Sequence, residues 1–216
     1  MLGDLEKADA PLLLVIAGHN GAGKSTFYRK YLHAVIAEHI KEHIDPDAIE
    51  RDIRANWTGA PQSDLEFSMR ARDEANELRK MYLDNEIAFS FETVFSDPVS
   101  EKINFLKEAV RRGYFVVLLA VGLDSPGKSI QRVALRVSRK GHTVPPDKIN
   151  ERYPRVLNNI AIGVFVVSIA LVVDNSEDTN IDDGDAFFPI ALFADGELLE
   201  YVEAAPEWWR MLQDQL

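Results

Sequence analysis

Apolar and polar positions fall into blocks along the chain, and these blocks predict alternating strands and helices. Leu12 to Ala17 (LLLVIA) is a continuous apolar run between a proline and a glycine, which is typical of a strand buried on both faces. From Lys24 to about Ile40, apolar residues recur at helical spacing, which predicts a helix after this strand. Strands that alternate with helices indicate a parallel sheet covered by helices on both faces.

The rest of the chain continues this alternation. Four further segments predict strands and two predict helices: strands at His43 to Asp45, Ala88 to Phe91, Tyr114 to Val121 and Val167 to Val173, and helices at Asp64 to Glu86 and Glu101 to Arg112. In parallel sheets, ligands bind beyond the carboxyl ends of the strands. Functional residues are therefore expected directly after the first four strands.

The composition fits one α/β domain. The chain has 216 residues, of which 46% are hydrophobic, and no Pro/Gly/Ser-rich or single-charge stretch divides it. We expect a single domain over residues 1–216, with a lid insertion at about 124–160. A C-terminal extension of strand and helix is expected at about 186–216, where Trp208 and Trp209 would dock a final helix.

Charge and cysteine content limit the possible binding partners of the protein and its expected place in the cell. The formal net charge of −11 disfavours nucleic acid as a partner, because an acidic surface repels phosphate backbones. The chain has no cysteine, which fits a reducing cytoplasm. The N-terminus is polar, unlike a signal peptide, and the apolar stretch from Ile160 to Val173 is shorter than the roughly 20 residues that a membrane span needs. We expect a cytoplasmic protein without membrane contact.

The segment from Gly18 to Ser25 (GHNGAGKS), called the phosphate loop below, matches the pattern G-x-x-x-x-G-K-[ST]. Its glycines let backbone N–H groups wrap an anion, while the following helix points its positive end at the same anion. Lys24 is expected to reach the β- and γ-phosphates, and Ser25 to ligate Mg²⁺. The predicted nucleotide-binding residues are Gly18, Asn20, Gly21, Ala22, Gly23, Lys24, Ser25 and Thr26.

Carboxylates follow the second and third strands. A kinase needs a group that accepts the proton of the acceptor hydroxyl, and Asp47 is the first candidate for this base, with Asp45 as the alternative. An aspartate before proline or near a helix start is also favoured as a cap. Glu92, with Thr93 beside it, leaves the third strand. It is expected to position the acceptor, or else to make structural hydrogen bonds to the loop.

The segment between the fourth and fifth strands is rich in cations. Six of them lie close together in sequence: Arg132, Arg136, Arg139, Lys140, Arg152 and Arg155. Several recur at helical spacing, which predicts a lid that neutralises charge during phosphoryl transfer. The alternative is a solvated basic helix. The acidic run at 176–185 (SEDTNIDDGD) does not match a calcium loop and is interpreted as a surface loop.

Five motifs in order resemble the zeta-toxin-like group of P-loop kinases. They are AGHNGAGKST, IDPDAI, FSFETVFS, the basic insertion and VVDNS, spread from about Leu12 to Val202. The pattern R-V-x-x-R-V-x-x-x-G-H-x-V-P, followed by R-Y and N-N, is the most specific part. The resemblance implies a three-layer α/β fold of the P-loop NTPase type, similar to nucleotide and shikimate kinases, with a mostly parallel five-stranded sheet and a helical lid.

The same resemblance implies a reaction and roles for residues. Zeta toxins phosphorylate the 3′-hydroxyl of the sugar in UDP-N-acetylglucosamine, with ATP or GTP and Mg²⁺, and an antitoxin protein is then an expected partner. By this resemblance Asp47 is the catalytic base, and Glu92 and Thr93 hold the sugar. Arg136 and Arg132 compete for the place of the first lid arginine. The second falls near His142, so that Arg152 is expected to substitute for it in binding substrate.

Two other functions stay open at the level of sequence. The first is a kinase for a different small acceptor, such as a nucleoside or an antibiotic. The second is a nucleotide-dependent switch or binding module with slow hydrolysis. A residue that can act as an acceptor base distinguishes a kinase from a switch, and Asp47 with Glu92 favours the kinase.

Overall fold

A computed structural model describes residues 10–138, 143–177 and 187–213. Within these residues seven strands form one sheet: β1 (Leu12–Gly18), β2 (Glu42–Ile44), β3 (Phe89–Thr93), β4 (Phe115–Gly122), β5 (Ile169–Asp174), β6 (Phe188–Ala194) and β7 (Glu197–Tyr201). Their spatial order is β2-β3-β1-β4-β5-β6-β7. Strands β1 to β5 pair in parallel, whereas β6 and β7 are antiparallel. The mostly parallel α/β fold is thus confirmed.

The sequence predicted a five-stranded sheet and one strand in the C-terminal extension, and the structure has two strands in that extension. The five parallel strands lie where the sequence predicted them, and the additional pair belongs to the C-terminal extension. Strand β7 is exposed along its whole length (ELLEY), so it lacks the apolar alternation that identifies a half-buried strand. Strand β6 contains Pro189, and a proline within an apolar run weakens the prediction of a strand.

The helices within the described residues cover both faces of this sheet. They are α1 (Lys24–Phe27), a π-helical turn (Tyr28–Leu32), α2 (His33–Ile36), α3 (Pro46–Ala55), α4 (Asp64–Asp84), α5 (Glu101–Arg111), α6 (Pro126–Ser138), α7 (Pro146–Gly163) and α8 (Glu207–Gln213). The helix predicted from Lys24 to Ile40 is present as a continuous helical stretch from Lys24 to Ile36, whose middle turn is π-helical. The predicted lid contains α6 and α7, while Arg139, Lys140 and His142 lie outside the described residues.

Alternate residues of β1 divide the core into two layers. Leu13 and Val15 pack with buried side chains of α4, α5, α7 and α8. Leu14 and Ile16 face the opposite way and pack with Tyr28 and other residues of the helical segment that follows the phosphate loop. Because β1 pairs with β3 on one side and β4 on the other, the phosphate loop leaves the sheet at its centre. The three-layer arrangement therefore gives the loop a rigid base.

The C-terminal helix docks as its tryptophans predicted. Trp208 and Trp209 are almost fully buried in the core, and the indole N–H of Trp208 donates to Asp174 Oδ1 at 2.7 Å. A Cβ atom on Gly122 would lie 2.2 Å from the Trp208 ring. Helix α8 is thus fixed against the carboxyl ends of β4 and β5. No helix in the described ranges combines the length and apolar character that crossing a bilayer requires.

Candidate active site

A cavity of about 540 Å³ lies at the carboxyl ends of β1 and β3. Its walls come from four places: the phosphate loop, the start of α3, the end of β3 and helix α6. Elements separated widely in sequence therefore meet at the edge of the sheet where parallel α/β folds bind ligands. Most of the residues predicted for the site line it. The exceptions are Gly18 and Ala22 of the loop itself, and Arg152 of α7.

The phosphate loop needs glycine at specific positions. Gly21 and Gly23 have φ angles of 71° and 88°, a left-handed conformation that side chains rarely adopt. A Cβ on Gly23 would also lie 2.7 Å from Asn175 Nδ2. Backbone in this conformation turns successive N–H groups toward one side and forms an anion-binding concavity. The loop therefore fits a chain of phosphates.

Two hydrogen bonds from residues outside the loop support its backbone. Asn175, which follows β5, donates from its side-chain amide to the carbonyl of Ala22 at 2.9 Å. Ser129 of α6 donates to the carbonyl of Asn20 at 2.5 Å. The sequence analysis assigned neither residue to the site. The only available signal was the motif VVDNS, because it places Asn175 at the carboxyl end of a buried strand.

Lys24 and Ser25 face a buried carboxylate. Lys24 Nζ donates to the carbonyls of Gly18 and His19 at 3.1 and 3.0 Å, and Ser25 Oγ donates to Glu92 Oε2 at 2.7 Å. Burial lowers the pKa of Lys24, and the negative charge of Glu92 is the largest effect that opposes this shift. The lysine and the carboxylate thus support each other electrostatically at the base of the cavity.

The side chain of Glu92 is held in its ionised form. Burial raises its pKa, but three neighbours outweigh burial: the imidazole of His43, whose Nε2 lies 3.7 Å from Glu92 Oε1, the charge of Lys24 and the Ser25 hydroxyl. The net pKa therefore lies below the usual range. His43 itself stacks on Tyr28, with ring centroids 3.8 Å apart. Of the two roles expected for Glu92, the hydrogen bond from Ser25 provides the contact to the loop. Glu92 also lines the cavity, so positioning of the acceptor stays a prediction.

The two aspartates after β2 have different environments. Asp45 caps α3, because its Oδ1 accepts a hydrogen bond from the Asp47 backbone N–H at 2.9 Å, and burial followed by the charges of Glu92 and Asp47 raises its pKa. The side chain of Asp47 is 47% exposed and lines the cavity. The capping alternative therefore applies to Asp45, and Asp47 keeps a carboxylate directed at the cavity.

The arginines predicted for the lid make different contacts. Arg132 donates to the backbone carbonyls of Asn175 and Glu177 at 2.6 and 2.9 Å. Arg136, one turn further along α6, forms an ion pair with Asp47 at 3.2 Å. Both line the cavity. Arg152 does not line the cavity, so the geometry does not support the expectation that it substitutes for a missing lid arginine. It lies on α7, where burial and the charge of Arg155 lower its pKa.

Three further side chains belong to this region although sequence analysis gave them no functional role. Arg29 and Arg51 line the cavity. His19 is buried and stacks on Tyr153 of α7, with ring centroids 4.3 Å apart. Burial, assisted by the charge of Lys24, lowers the pKa of His19 to about 3. Arg29 lies four residues after Ser25, and Arg51 lies four residues after Asp47, so helical spacing could have indicated that both arginines reach the cavity. No local pattern reveals the contact between His19 and Tyr153.

A phosphate loop at the end of a central parallel strand, with a lysine, a hydroxyl and acidic side chains around one cavity, is the arrangement of the P-loop kinase fold. The chain belongs to the zeta toxin family, since the family model for zeta toxins matches residues 2–184. The resemblance seen in the sequence is therefore confirmed. No curated protein matches the chain.

Solved structures support the same fold. The PezAT chromosomal toxin–antitoxin system of Streptococcus pneumoniae matches with a TM-score of 0.56 and 14% identity, over 100% of this chain and 90% of that chain. The AvrRxo1-ORF1:-ORF2 structure with ATP matches with a TM-score of 0.59 and 14% identity, over 98% of this chain. The protein spans only 64% of that chain. A kinase from Chloroflexus aurantiacus matches with a TM-score of 0.50 and 15% identity, over 67% of this chain and 77% of that chain.

Proposed function

We propose that this protein is a kinase that transfers the γ-phosphoryl group of ATP or GTP, with Mg²⁺, to a hydroxyl group of a small metabolite. The observation that supports this proposal most directly is the position of Asp47. Its side chain lines the same cavity as Lys24 and Ser25 of the phosphate loop. A nucleotide-dependent switch needs no acceptor base, so this arrangement favours a kinase.

Nucleotide binding is assigned to the loop and its supports. The backbone N–H groups around Gly21 and Gly23 bind the phosphates, Lys24 reaches the β- and γ-phosphates, and Asn175 keeps the loop in shape. In the AvrRxo1 structure, which has the same fold, the bound nucleotide is ATP. This supports ATP as the donor, and GTP is the second candidate.

Mg²⁺ fits the pair formed by Ser25 and Glu92. In the described part of the chain no three His, Asp or Glu side chains cluster into a metal site. Mg²⁺ in kinases needs no such cage, because phosphates and water supply most of its ligands and one or two protein oxygens complete the set. The Ser25 hydroxyl and the Glu92 carboxylate, 2.7 Å apart, supply those oxygens. Bound there, the ion would neutralise phosphate charge.

The acceptor hydroxyl is assigned to the side of the cavity formed by α3. Asp47 accepts its proton, and Arg136, already 3.2 Å from that carboxylate, neutralises charge on the transferred group. The proposed acceptor is a UDP-sugar similar to UDP-N-acetylglucosamine, by membership of the zeta toxin family. Thr93 lines the cavity beside Glu92 and is assigned to the sugar. A nucleoside or an antibiotic is the alternative acceptor.

A toxin function in the cytoplasm follows from the same proposal. The PezAT structure belongs to a chromosomal toxin–antitoxin system, and this chain shares its fold and family. Phosphorylation of a nucleotide sugar would remove it from metabolism, which gives a reason for toxicity. An antitoxin protein is the corresponding proposed partner.

A panel assay tests the proposal. The protein is incubated with ATP or GTP, Mg²⁺ and separate acceptors from three classes: UDP-sugars, nucleosides and aminoglycosides. Mass spectrometry then detects a phosphate-sized mass increase. We expect one product with UDP-N-acetylglucosamine and none with the Lys24→Ala variant. Nucleotide hydrolysis that no acceptor stimulates, with every acceptor unmodified, contradicts the kinase and supports a switch.

A further inference from the structure

A second cavity lies on the far face of β3, between helices α4 and α5. Its volume is about 320 Å³, and we call it the α4–α5 cleft. It shares no lining residue with the cavity described above. Leu83 and Phe105 contribute apolar surface, and Arg79 lies within the cleft. Most of the other lining residues are charged: Lys80, Asp84, Glu101, Lys102, Glu108 and Arg112. A cleft of this size that combines apolar surface with a buried charge has the character of a small-molecule site.

Arg79 is unusual because it is buried without an acidic partner. The residue is only 6% exposed. Its guanidinium lies over the Phe91 ring, 5.0 Å from the centroid, and Nη2 donates to the side-chain oxygen of Asn76. Across the described ranges it forms no ion pair with a carboxylate. Buried charges in proteins are normally paired, since leaving water costs several kcal/mol.

Two of the three carboxylates that line the cleft are engaged elsewhere, and the third, Glu101, forms no ion pair with Arg79 in the described part of the chain. Asp84 and Glu108 bind Arg112 at 2.7 Å each, and Asp97, just outside the lining, lies 3.5 Å from Lys102 Nζ. Glu101 and Asp97 act on Arg79 only through space, and burial outweighs both, so that its pKa falls to about 10. Arg79 therefore stays charged at neutral pH with most of its N–H donors uncommitted.

From this geometry we propose that the α4–α5 cleft binds a small organic acid, whose carboxylate pairs with Arg79 and whose apolar body packs on Leu83 and Phe105. A guanidinium presents a planar pair of N–H donors that matches a carboxylate. The apolar side chains of Leu83 and Phe105 favour an organic acid over inorganic phosphate. Because Phe91 and Glu92 are neighbours on β3 and point to opposite faces, the cleft lies directly behind the proposed active site.

The test measures binding of benzoate, phenylacetate and hexanoate to the full-length protein by calorimetry and by the shift in Tm, with inorganic phosphate for comparison. We expect one site for at least one of the acids, and affinity reduced by about tenfold or more in Arg79→Leu. Arg72→Leu removes an exposed charge from the same helix and should bind like the wild type. Lys24→Ala should also keep the site, which distinguishes it from the phosphate loop.

Stability separates a binding role from a structural one. If Arg79 serves a ligand, Arg79→Leu keeps or raises the Tm without ligand, because it removes a buried charge that lacks an ion pair. Arg79→Lys keeps the charge without the planar fork and should also lose binding. The proposal is overturned if no acid binds, if phosphate binds as tightly as the acids, or if acids bind equally well to both Arg79 variants.

Discussion

Arg136 and Asp47 join the lid to the acidic segment: Nη1 of the arginine lies 3.2 Å from Oδ2 of the aspartate, across 89 positions of sequence. The two residues were predicted separately, one from a cluster of cations and one from its place after a strand. Their contact means that the proposed base and the proposed charge-neutralising group act as a unit. Mutations at one of them should therefore change the effect of mutations at the other.

Asp47→Asn should lower kcat by about two decades or more, the range observed for loss of a general base. The affinity for nucleotide should remain nearly unchanged, because Asp47 lies across the cavity from the phosphate loop. Asp52→Asn is the matched control, since Asp52 is an exposed residue of the same helix. Steady-state kinetics and nucleotide titration check both variants. Wild-type kinetics in Asp47→Asn would remove this residue from the mechanism.

Arg136→Gln should lower kcat by about 10²-fold, because it removes a positive donor from the site of transfer. Lys148→Gln changes an exposed lid cation on α7 and should have no effect. In the double variant Asp47→Asn/Arg136→Gln, the losses should not add, since residues in direct contact are coupled. A double-mutant cycle measures this coupling. Additive losses would show that the ion pair has no part in catalysis.

Asn175→Ala should raise KM for ATP by roughly tenfold with a smaller effect on kcat. The change leaves the carbonyl of Ala22 without its donor and removes a support of the phosphate loop. Asn158→Ala, at an exposed position of α7, serves as the control. Initial rates over a range of ATP concentrations separate the two kinetic constants. Unchanged KM would assign the contact to folding alone.

His19 should make stability depend on pH in weakly acidic solution. Its folded pKa is lowered to about 3, whereas in the unfolded chain the imidazole takes up a proton near its ordinary value of about 6.5. The unfolded state therefore binds more protons between these values, and stability falls as pH falls, by at most about 1.4 kcal/mol per pH unit.

Urea unfolding at pH 7 and pH 5.5 measures this dependence, in a range where most carboxylates stay ionised. His19→Phe keeps a ring against Tyr153 and should flatten the dependence. His39→Gln alters an exposed histidine and should leave it unchanged. An equal slope in wild type and His19→Phe would show that His19 is protonated in the folded protein.

Gly122→Ala should destabilise the protein by about 1–3 kcal/mol, because the new Cβ would lie 2.2 Å from the ring of Trp208. Gly127→Ala in α6 should be neutral or stabilising by up to about 1 kcal/mol. The nearest heavy atom to its Cβ would be Ser125 Oγ at 3.9 Å. Thermal unfolding compares the two. Equal Tm values would mean that α8 packs less closely than described.

The sequence was sufficient for the parts of the fold that local patterns specify. The apolar run of β1 and the spacing of Gly18, Lys24 and Ser25 predict a buried strand with a phosphate loop, and the structure has both. Helix α3 was not predicted, although Ile49 and Ile53 lie four residues apart, as on one face of a helix. The sequence analysis considered an aspartate here only as a cap near a helix start and did not extend the helix beyond it.

Pairings between distant segments could not be predicted. Asn175 and Ala22 are 153 positions apart, and no period in either segment reveals that they touch. Glu92 was correctly located at the end of a strand, yet its partner Ser25 depends on the parallel register of β1 and β3. Arg152 was expected to replace the second lid arginine of the zeta-toxin-like kinases, which is missing near His142. Its place on α7 is fixed by how that helix packs, which the sequence does not specify.

The burial of Trp208 has a consequence for how the enzyme is made. Trp208 binds Asp174, whose neighbour Asn175 supports the phosphate loop. A ribosome synthesises Gly18 to Ser25 early and Trp208 nearly two hundred residues later. The indirect support of the phosphate loop through Asp174 therefore forms only after α8 has been synthesised and packed. Completion of the nucleotide site is in this way coupled to a segment that the ribosome makes long after the loop itself.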